Sequence, residues 1–442
     1  MSIKKSLYDE LLLESNDQSR TIDLVGGAIL FEYYEDIFSP TITAKIKVID
    51  NGNVISPADN QDGDRQSIYN GLPLRGGERL SLKIAGNSST NPGLDFSKKV
   101  DDYFYVSSIT DVISETNRET FTLHLVSREA VTNETSRVTK KYTSSIDQSV
   151  SSIIQNILQA NKVGTIDQTS NKYSFIGNLR KPFTVLTWLA SKSAPVVEGG
   201  SGTAGFFFYQ TVDGFQFRSI DLLNKQPVKA TFIYSEATES YDTDDKKNNN
   251  DFKILNYNIE RNQNLIEKLR LGTYANVRYF FNPLTGGITD PGKIKFRQND
   301  YRGKVTNLGR EEIKLPKLNN NSTETLGDVP TRIITSILDI GTMNRGVSRE
   351  KNADPTEYQS QTLLRYNELF RQTFNVIVPS NTNLRAGDII ECLFPKITRN
   401  PAREYDEDQS GLYMIKELCH HFDARNSYTS LKLVRDTFGI KK

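Results

Sequence analysis

The sequence predicts a mainly β protein with α+β character: two related antiparallel β-barrel or β-sheet modules in one chain, an α+β module and an irregular insertion. Three observations carry this expectation. First, Tyr103–Arg128, YFYVSSITDVISETNRETFTLHLVSR, lies without a gap on Gly411–Asp436, GLYMIKELCHHFDARNSYTSLKLVRD, when moved forward by 308 positions. Tyr105 then falls on Tyr413, Leu123 on Leu431, Leu125 on Leu433 and Val126 on Val434. Upstream, GGERLSLKI (Gly76–Ile84) is echoed by AGDIIECLF (Ala386–Phe394) at almost the same offset, each a glycine turn and an acid opening an apolar strand. Second, the repeated segments alternate as strands do. Phe121, Leu123 and Leu125 face one way and Thr122 and His124 the other, as Thr429, Leu431 and Leu433 do against Tyr428, Ser430 and Lys432. Third, aromatic residues make up 10 % of the chain, the Tyr- and Phe-rich usage of β proteins.

Residues 1–18 read as a polar N-terminal arm with one short apolar patch at Leu11–Leu13, flanked by acids and unlike a secretory signal. Residues 19–141 form the first β module. TIDLVGGAILFEYYEDI reads as a strand, Ser39-Pro40 turns the chain, and Ile42, Ala44, Ile46 and Val48 then alternate with Thr41, Thr43, Lys45 and Lys47. A strand of that kind has one face on a core and one in water. Residues 142–237 change character. Ile146, Val150, Ile153, Ile154, Ile157 and Leu158 are spaced for a helix, with Ser144 or Ser145 as its N-cap. Pro182 suits the first turn of a second helix over 182–193, whose Trp188 reads as core. GFFFYQTVDGFQFRSIDLL is then a hairpin with Asp213-Gly214 as a type I′ turn.

Residues 238–282 hold a charged linker, Thr238–Asp251, and the first strands of the second β module, in which Ala275, Val277, Tyr279 and Phe281 alternate. Residues 283–353 are the insertion, rich in Gly, Pro and Asn, with the apolar piece Arg332–Ile340 open to either helix or strand. Residues 354–442 complete the second module after a helix that starts at Asp354 as N-cap, Pro355 at N1 and Glu357 at N3.

The chemistry of the chain is sparse. A length of 442 residues gives room for two to four domains, and 36 % apolar with 25 % charged residues describes a soluble folded protein. A net charge of +1 makes no broad case for nucleic acid or an anionic membrane, and no apolar run approaches a membrane span. Cys392 and Cys419 sit in strand-like runs and read as small core residues of a protein made in a reducing cytoplasm. The three histidines support no catalytic arrangement: His124 is on a polar strand face, and adjacent His420 and His421 point to opposite faces. Gly199–Gly205 lacks the Lys-Ser/Thr of a phosphate loop, and Asp242–Asp245 lacks the spacing and glycine of a calcium loop. No catalytic residue, cofactor or metal site is expected. What stands out is one wide polar face per module carrying Lys45, Lys47, Thr122, His124, Ser430 and Lys432, the kind of surface that walls a water-filled tube. A duplicated module also has a geometric use, since three chains of two similar units make a ring of six.

LRAGDIIECLFP (Leu384–Pro395) followed by GLYMIKELCHHFDARNSYTSLKLVRDTFG (Gly411–Gly439) resembles the C-terminal part of the central baseplate hub of T-even-like contractile-tailed phages. The order carries the resemblance: a G-D-x-I-E strand, a G-x-Y-x-I-K strand, a histidine-containing stretch and a Y-x-S-x-L-x-L-V-R-D strand. That family implies tube-protein-like modules in a homotrimer that joins the tail tube protein to a separate central spike protein, within surrounding baseplate wedge proteins. Its lumen lets the tape measure protein and DNA pass, and it inserts in no membrane. The expected location is the virion tail baseplate, assembled in the bacterial host cytoplasm, with no enzymatic activity. The insertion and the linker depart from the family pattern. The alternatives are the hub of a phage-derived contractile injection system, a cell-wall hydrolase with a perturbed carboxylate pair, or a nucleic-acid-binding β protein.

Overall fold

A computed structural model describes residues 6–52, 55, 66–196, 202–234, 250–260, 264–283, 285–288, 295–301, 305–310, 314–337, 355–396 and 405–440. Alternating apolar positions place the strands of the first copy. The longer ones are β1 (Tyr8–Glu14), β2 (Ala28–Asp36), β3 (Thr43–Asp50), β4 (Arg79–Ala85), β5 (Phe104–Glu115) and β6 (Arg118–Val126). In β3, Ala44, Ile46 and Val48 are buried while Lys45 and Lys47 are not, as the period of two requires. β1 lies within the N-terminal arm, which docks as a strand against β4. Leu11 and Leu13 share one face, both are fully buried, and Leu11 sits opposite Leu82 of β4. Burial of each leucine contributes about 1.5–3 kcal/mol, enough to fix a segment this short. Its start is tied to the far end of the chain, where Tyr8 Oη donates to the Phe422 carbonyl at 3.2 Å.

The α+β portion has helices α1 (Ile146–Asn156) and α2 (Pro182–Ala190) and the hairpin of β7 (Phe206–Thr211) with β8 (Gly214–Ser219). Both helices follow their apolar spacing, and Pro182 stands at the start of α2 as predicted. The hairpin serves two cores at once. Phe206 and Phe208 pack with the helices, whereas Phe207 and Tyr209 pack with Ile389, Met414 and Val434 of the second copy. Two expectations are corrected here. Thr211 pairs with Gly214, so Val212-Asp213 form the turn, and neither has the positive φ that type I′ demands; Gly214 itself takes φ +112°. Trp188 is 39 % exposed rather than core, its ring edge-on to Tyr173 and Phe175, with Lys192 Nζ 5.3 Å from its centroid.

The second copy begins with β9 (Asn256–Glu260), and a different three-stranded sheet then holds β10 (Ala275–Phe281) and β11 (Arg332–Ile337). Sequence alternation put β10 beside β9, but the structure does not. Its buried positions are Ala275, Asn276, Arg278 and Phe280, while Val277, Tyr279 and Phe281 are not buried, because Asn276 and Arg278 bond to Ser360 of the next helix. A short helix, Leu265–Leu271, intervenes, ended by Gly272 at φ +71°. Arg332–Ile337, open from sequence, is a strand parallel to β10. Helix α3 (Pro355–Glu368) and strands β12 (Gln372–Pro379), β13 (Ile389–Leu393), β14 (Gly411–Asp423) and β15 (Ser427–Arg435) finish the chain. The expected cap Asp354, the carboxylates Asp242–Asp245 and most of the linker lie outside the described residues.

The repeat is visible strand by strand. In the first copy β2, β3, β6, β5 and β4 lie side by side; in the second, β9, β12, β15, β14 and β13 do the same. The copies join through β14. One of its edges carries β15, while the other carries β13 along residues 411–414 and β2 of the first copy along 417–423. One sheet therefore runs through both copies, over a shared core that includes Phe31, Ile46, Leu123, Phe374, Leu418 and Leu431.

A second link is polar. Arg365 of α3 is 1 % exposed and pairs with Asp221 at 3.1 Å and Asp436 at 3.4 Å, drawing α3, the hairpin module and the C-terminal strand together. The backbone N–H of Leu308, in the insertion, donates to Asp436 at 3.0 Å.

Candidate functional site

Directly paired residues in neighbouring strands point their side chains to the same face, so the register defines a surface. His124, Lys45, Glu32, His421 and Tyr428 form one row across β6, β3, β2, β14 and β15. Thr122, Lys47, Leu30 and Asp423 form the next. On the other side of the first row lie Thr43, Tyr34, Cys419 and Ser430, and beyond them Asp36, Glu417, Lys432 and Asn375. Lys45, Lys47, Thr122, Ser430 and Lys432, singled out from the sequence in two separate copies, thus share one face of one sheet. They are not equally accessible. Lys47 is exposed, Lys45, Ser430 and Lys432 are half-buried, and Thr122 is only 7 % exposed between Thr110 and Lys47.

Sequence reasoning missed the centre of this face. Glu32 accepts from Lys45 Nζ at 2.6 Å, from Tyr34 Oη at 2.5 Å, and lies 2.9 Å from His421 Nδ1. Burial alone would raise its pKa, but Lys45, Tyr34 and His421 outweigh that and hold it below the ordinary carboxylate range. His421 stacks on Tyr428 at 4.3 Å and has Nε2 3.5 Å from Asp423. Lys416 Nζ, beside the β-bulge of β14, bridges Asp36 at 2.6 Å and Glu417 at 3.3 Å. The period of two in AILFEYYED already placed Glu32, Tyr34 and Asp36 together. What the sequence lacked was the pairing of β2 with a strand almost 400 residues away. Cys419, read as core, is half-buried on this polar face, where burial pushes its thiol up to about 12; Cys392 is fully buried.

The opposite face of the same strands holds the structure together. Glu35, 1 % exposed, accepts from Tyr33 Oη at 2.8 Å and from the backbone N–H groups of Val212 at 2.8 Å and Ala386 at 2.9 Å. It thereby ties the first copy to the hairpin turn and to the second copy. Arg385, bonded to Asp213 at 2.9 Å, adds positive charge nearby, yet burial dominates and lifts the Glu35 pKa to about 7. His420, fully buried with Nδ1 3.0 Å from Thr429 Oγ1, is held neutral by burial, its pKa pushed down to about 3. The neighbouring histidines thus do point to opposite faces, one into the core and one onto the charged surface.

As chemistry, this surface offers balanced charge and hydroxyls spread over many strands. Among the described residues no group of three or more His, Cys, Asp or Glu is arranged to hold a metal ion, and no helix is long and apolar enough to cross a membrane. No protein-family model matches the chain, and no curated protein does. Among solved structures it is similar to a tail protein from Neisseria meningitidis MC58, at 10 % identity over 97 % of each chain with a TM-score of 0.52. It is also similar to the 43 kDa tail protein of prophage MuSo2 from Shewanella oneidensis, at 8 % identity over 98 % of this chain and 100 % of that one, with a TM-score of 0.49. A prophage tail protein from Listeria monocytogenes aligns at 9 % identity over 97 % and 95 %, with a TM-score of 0.46. Over 97 % of its length, then, this chain shares the fold of that Neisseria tail protein.

Proposed function

We propose that the chain is a structural baseplate hub of a contractile phage tail. Three copies form a ring of six similar modules that joins the tail tube to the central spike, with the shared polar sheet face lining a lumen through which the tape measure protein and DNA pass. The observation that carries this reading is the single polar face running unbroken through both copies of the repeated module. Two quasi-equivalent modules per chain let a three-fold spike meet a six-fold tube without breaking symmetry at either contact. The composition of the face suits passage: Lys45, Lys47 and Lys432 are set among Glu32, Asp36, Glu417 and Asp423, so DNA phosphates find no continuous basic track to hold them. The role is one of assembly rather than catalysis.

The test is the absolute mass of the purified protein near physiological salt, alone and after co-expression with a spike protein. Three chains of 50.0 kDa give about 150 kDa before any spike is added. A strict monomer under both conditions overturns the hub reading.

A further inference from the structure

The junction inside the chain shows how one module meets the next. Along residues 417–423 the free edge of β14 is covered by β2 of the other copy, with His421 opposite Glu32 and Phe422 opposite Phe31. Each of these strands has a counterpart that lacks such a partner. The counterpart of β14 is β5, offset by 308 positions. β4 covers it only at Phe104 and Tyr105, and among the described residues no strand pairs with that edge farther along. Burial records the difference: Val112 and Ile113 are 44 % and 57 % exposed, where the matching His420 is fully buried and His421 mostly so.

The counterpart of β2 is β9. Ile46 lies between Leu123 and Phe31, as Val376 lies between Leu431 and Tyr257, so Tyr257 matches Phe31 and Asn258 matches Glu32. The inner edge of β9 pairs with β12; among the described residues its outer edge pairs with nothing. Tyr257 and Ile259 are half-buried where Phe31 and Tyr33 are fully buried.

We infer that these two open edges pair with each other between copies: β5 of one chain takes β9 of the next, antiparallel, with Ile113 opposite Asn258 and Glu115 opposite Asn256. The occupant is a second copy of this chain, because the covered junction inside the chain is the template and the repeats of both its halves present edges that no strand covers among the described residues. In this register Val112 and Ser114 meet Ile259 and Tyr257 on the core side, covering the apolar groups now exposed. Ile113 and Asn258 join the polar face, which is incomplete without the neighbour. The contact is head-to-tail, so it closes into a ring or runs on as a filament, according to whether the rotation closes. In the free chain β5 carries a bulge between Thr110 and Ile113, with Asp111 at φ +53°, a feature that blunts an open edge against unspecific pairing. The strand pairing follows from the repeat alone; its closure at three chains rests on the hub reading.

The test is a cysteine pair, Ile113→Cys with Asn258→Cys, in the full-length protein under mild oxidation on non-reducing gels. Both sites are exposed strand edges, so folding is undisturbed, and His421→Cys with Glu32→Cys provides the matching cross-link within one chain. Covalent dimers and trimers are expected from the double variant. The pair slipped by one residue, Ser114→Cys with Asn258→Cys, points to opposite faces and gives no trimer. A trimer by mass without a cross-link, while the internal pair does cross-link, overturns the strand pairing and leaves the hub reading intact. A ladder continuing beyond three chains supports the pairing and overturns closure at three. A monomer that forms neither overturns both.

Discussion

Glu35 offers a direct test of how the modules are held together. Its ordinary pKa is 4.5 and its folded value is about 7, raised by burial against the pull of Arg385 and three donated hydrogen bonds. Between those values the folded chain keeps a proton that the unfolded chain has released. Raising the pH through this window therefore strips a proton from the folded state and weakens it; below 4.5 both states are protonated and the term vanishes. The gap corresponds to about 3 kcal/mol, lost between about pH 4.5 and somewhat above pH 7. For a chain of this length that is about 3 °C in melting temperature. The groups facing Glu35 are Tyr33 on its own strand and Arg385 with its partner Asp213; Tyr33 is pushed up and Arg385 stays charged, so neither titrates in the window. Glu35→Gln keeps the size and one acceptor but cannot ionise. Melting curves from pH 5 to 8 should show the parent falling relative to Glu35→Gln by about 3 °C. A constant difference across that range would refute the reasoning.

Other expectations follow from the same geometry. Arg365→Ala strands the carboxylates of Asp221 and Asp436 in the interior and should cost about 3–5 kcal/mol, read as a lower denaturant midpoint together with new protease cleavage near α3. Leu431→Ala, in the centre of the shared core, should cost about 2–5 kcal/mol by the same measurement. Lys47→Ala lies on the exposed polar face and should change stability by less than about 0.5 kcal/mol; a larger loss would show that the face is structural rather than a free surface. Neither cysteine should react with iodoacetamide at pH 7.5 in the folded protein, since burial holds the Cys419 thiol up to about 12 and Cys392 is enclosed; both should react within minutes in 6 M guanidinium.

Much of the β architecture could be read from period-two alternation, because burial on one face leaves that mark directly in the chain. β3, β6 and β15 are clear examples, and the repeat exposed by Leu123, Leu125, Leu431 and Leu433 correctly announced two copies of one arrangement. Alternation fails where a strand buries polar groups. In β10 the buried positions include Asn276 and Arg278, satisfied by Ser360, while Val277, Tyr279 and Phe281 are left partly or fully exposed. It fails again for Trp188, whose ring lies across Tyr173 and Phe175 at the surface rather than beneath them. The candidate polar face was half legible. Each copy announced its own lysines and hydroxyls, but Glu32 and His421 meet only because β2 pairs with β14, and no local pattern encodes a contact between residues so far apart.

That contact has a consequence for synthesis. Leu30 of β2 lies opposite Asp423 of β14, 393 residues later in the chain. At about 5–20 residues per second, β2 leaves the ribosome roughly 20–80 s before its partner strand is made. Throughout that interval the nascent chain presents an unpaired edge whose core side is Phe31 and Tyr33, open to mispairing with neighbouring chains on the same message. Synthesis of β14 is then the event that covers this edge.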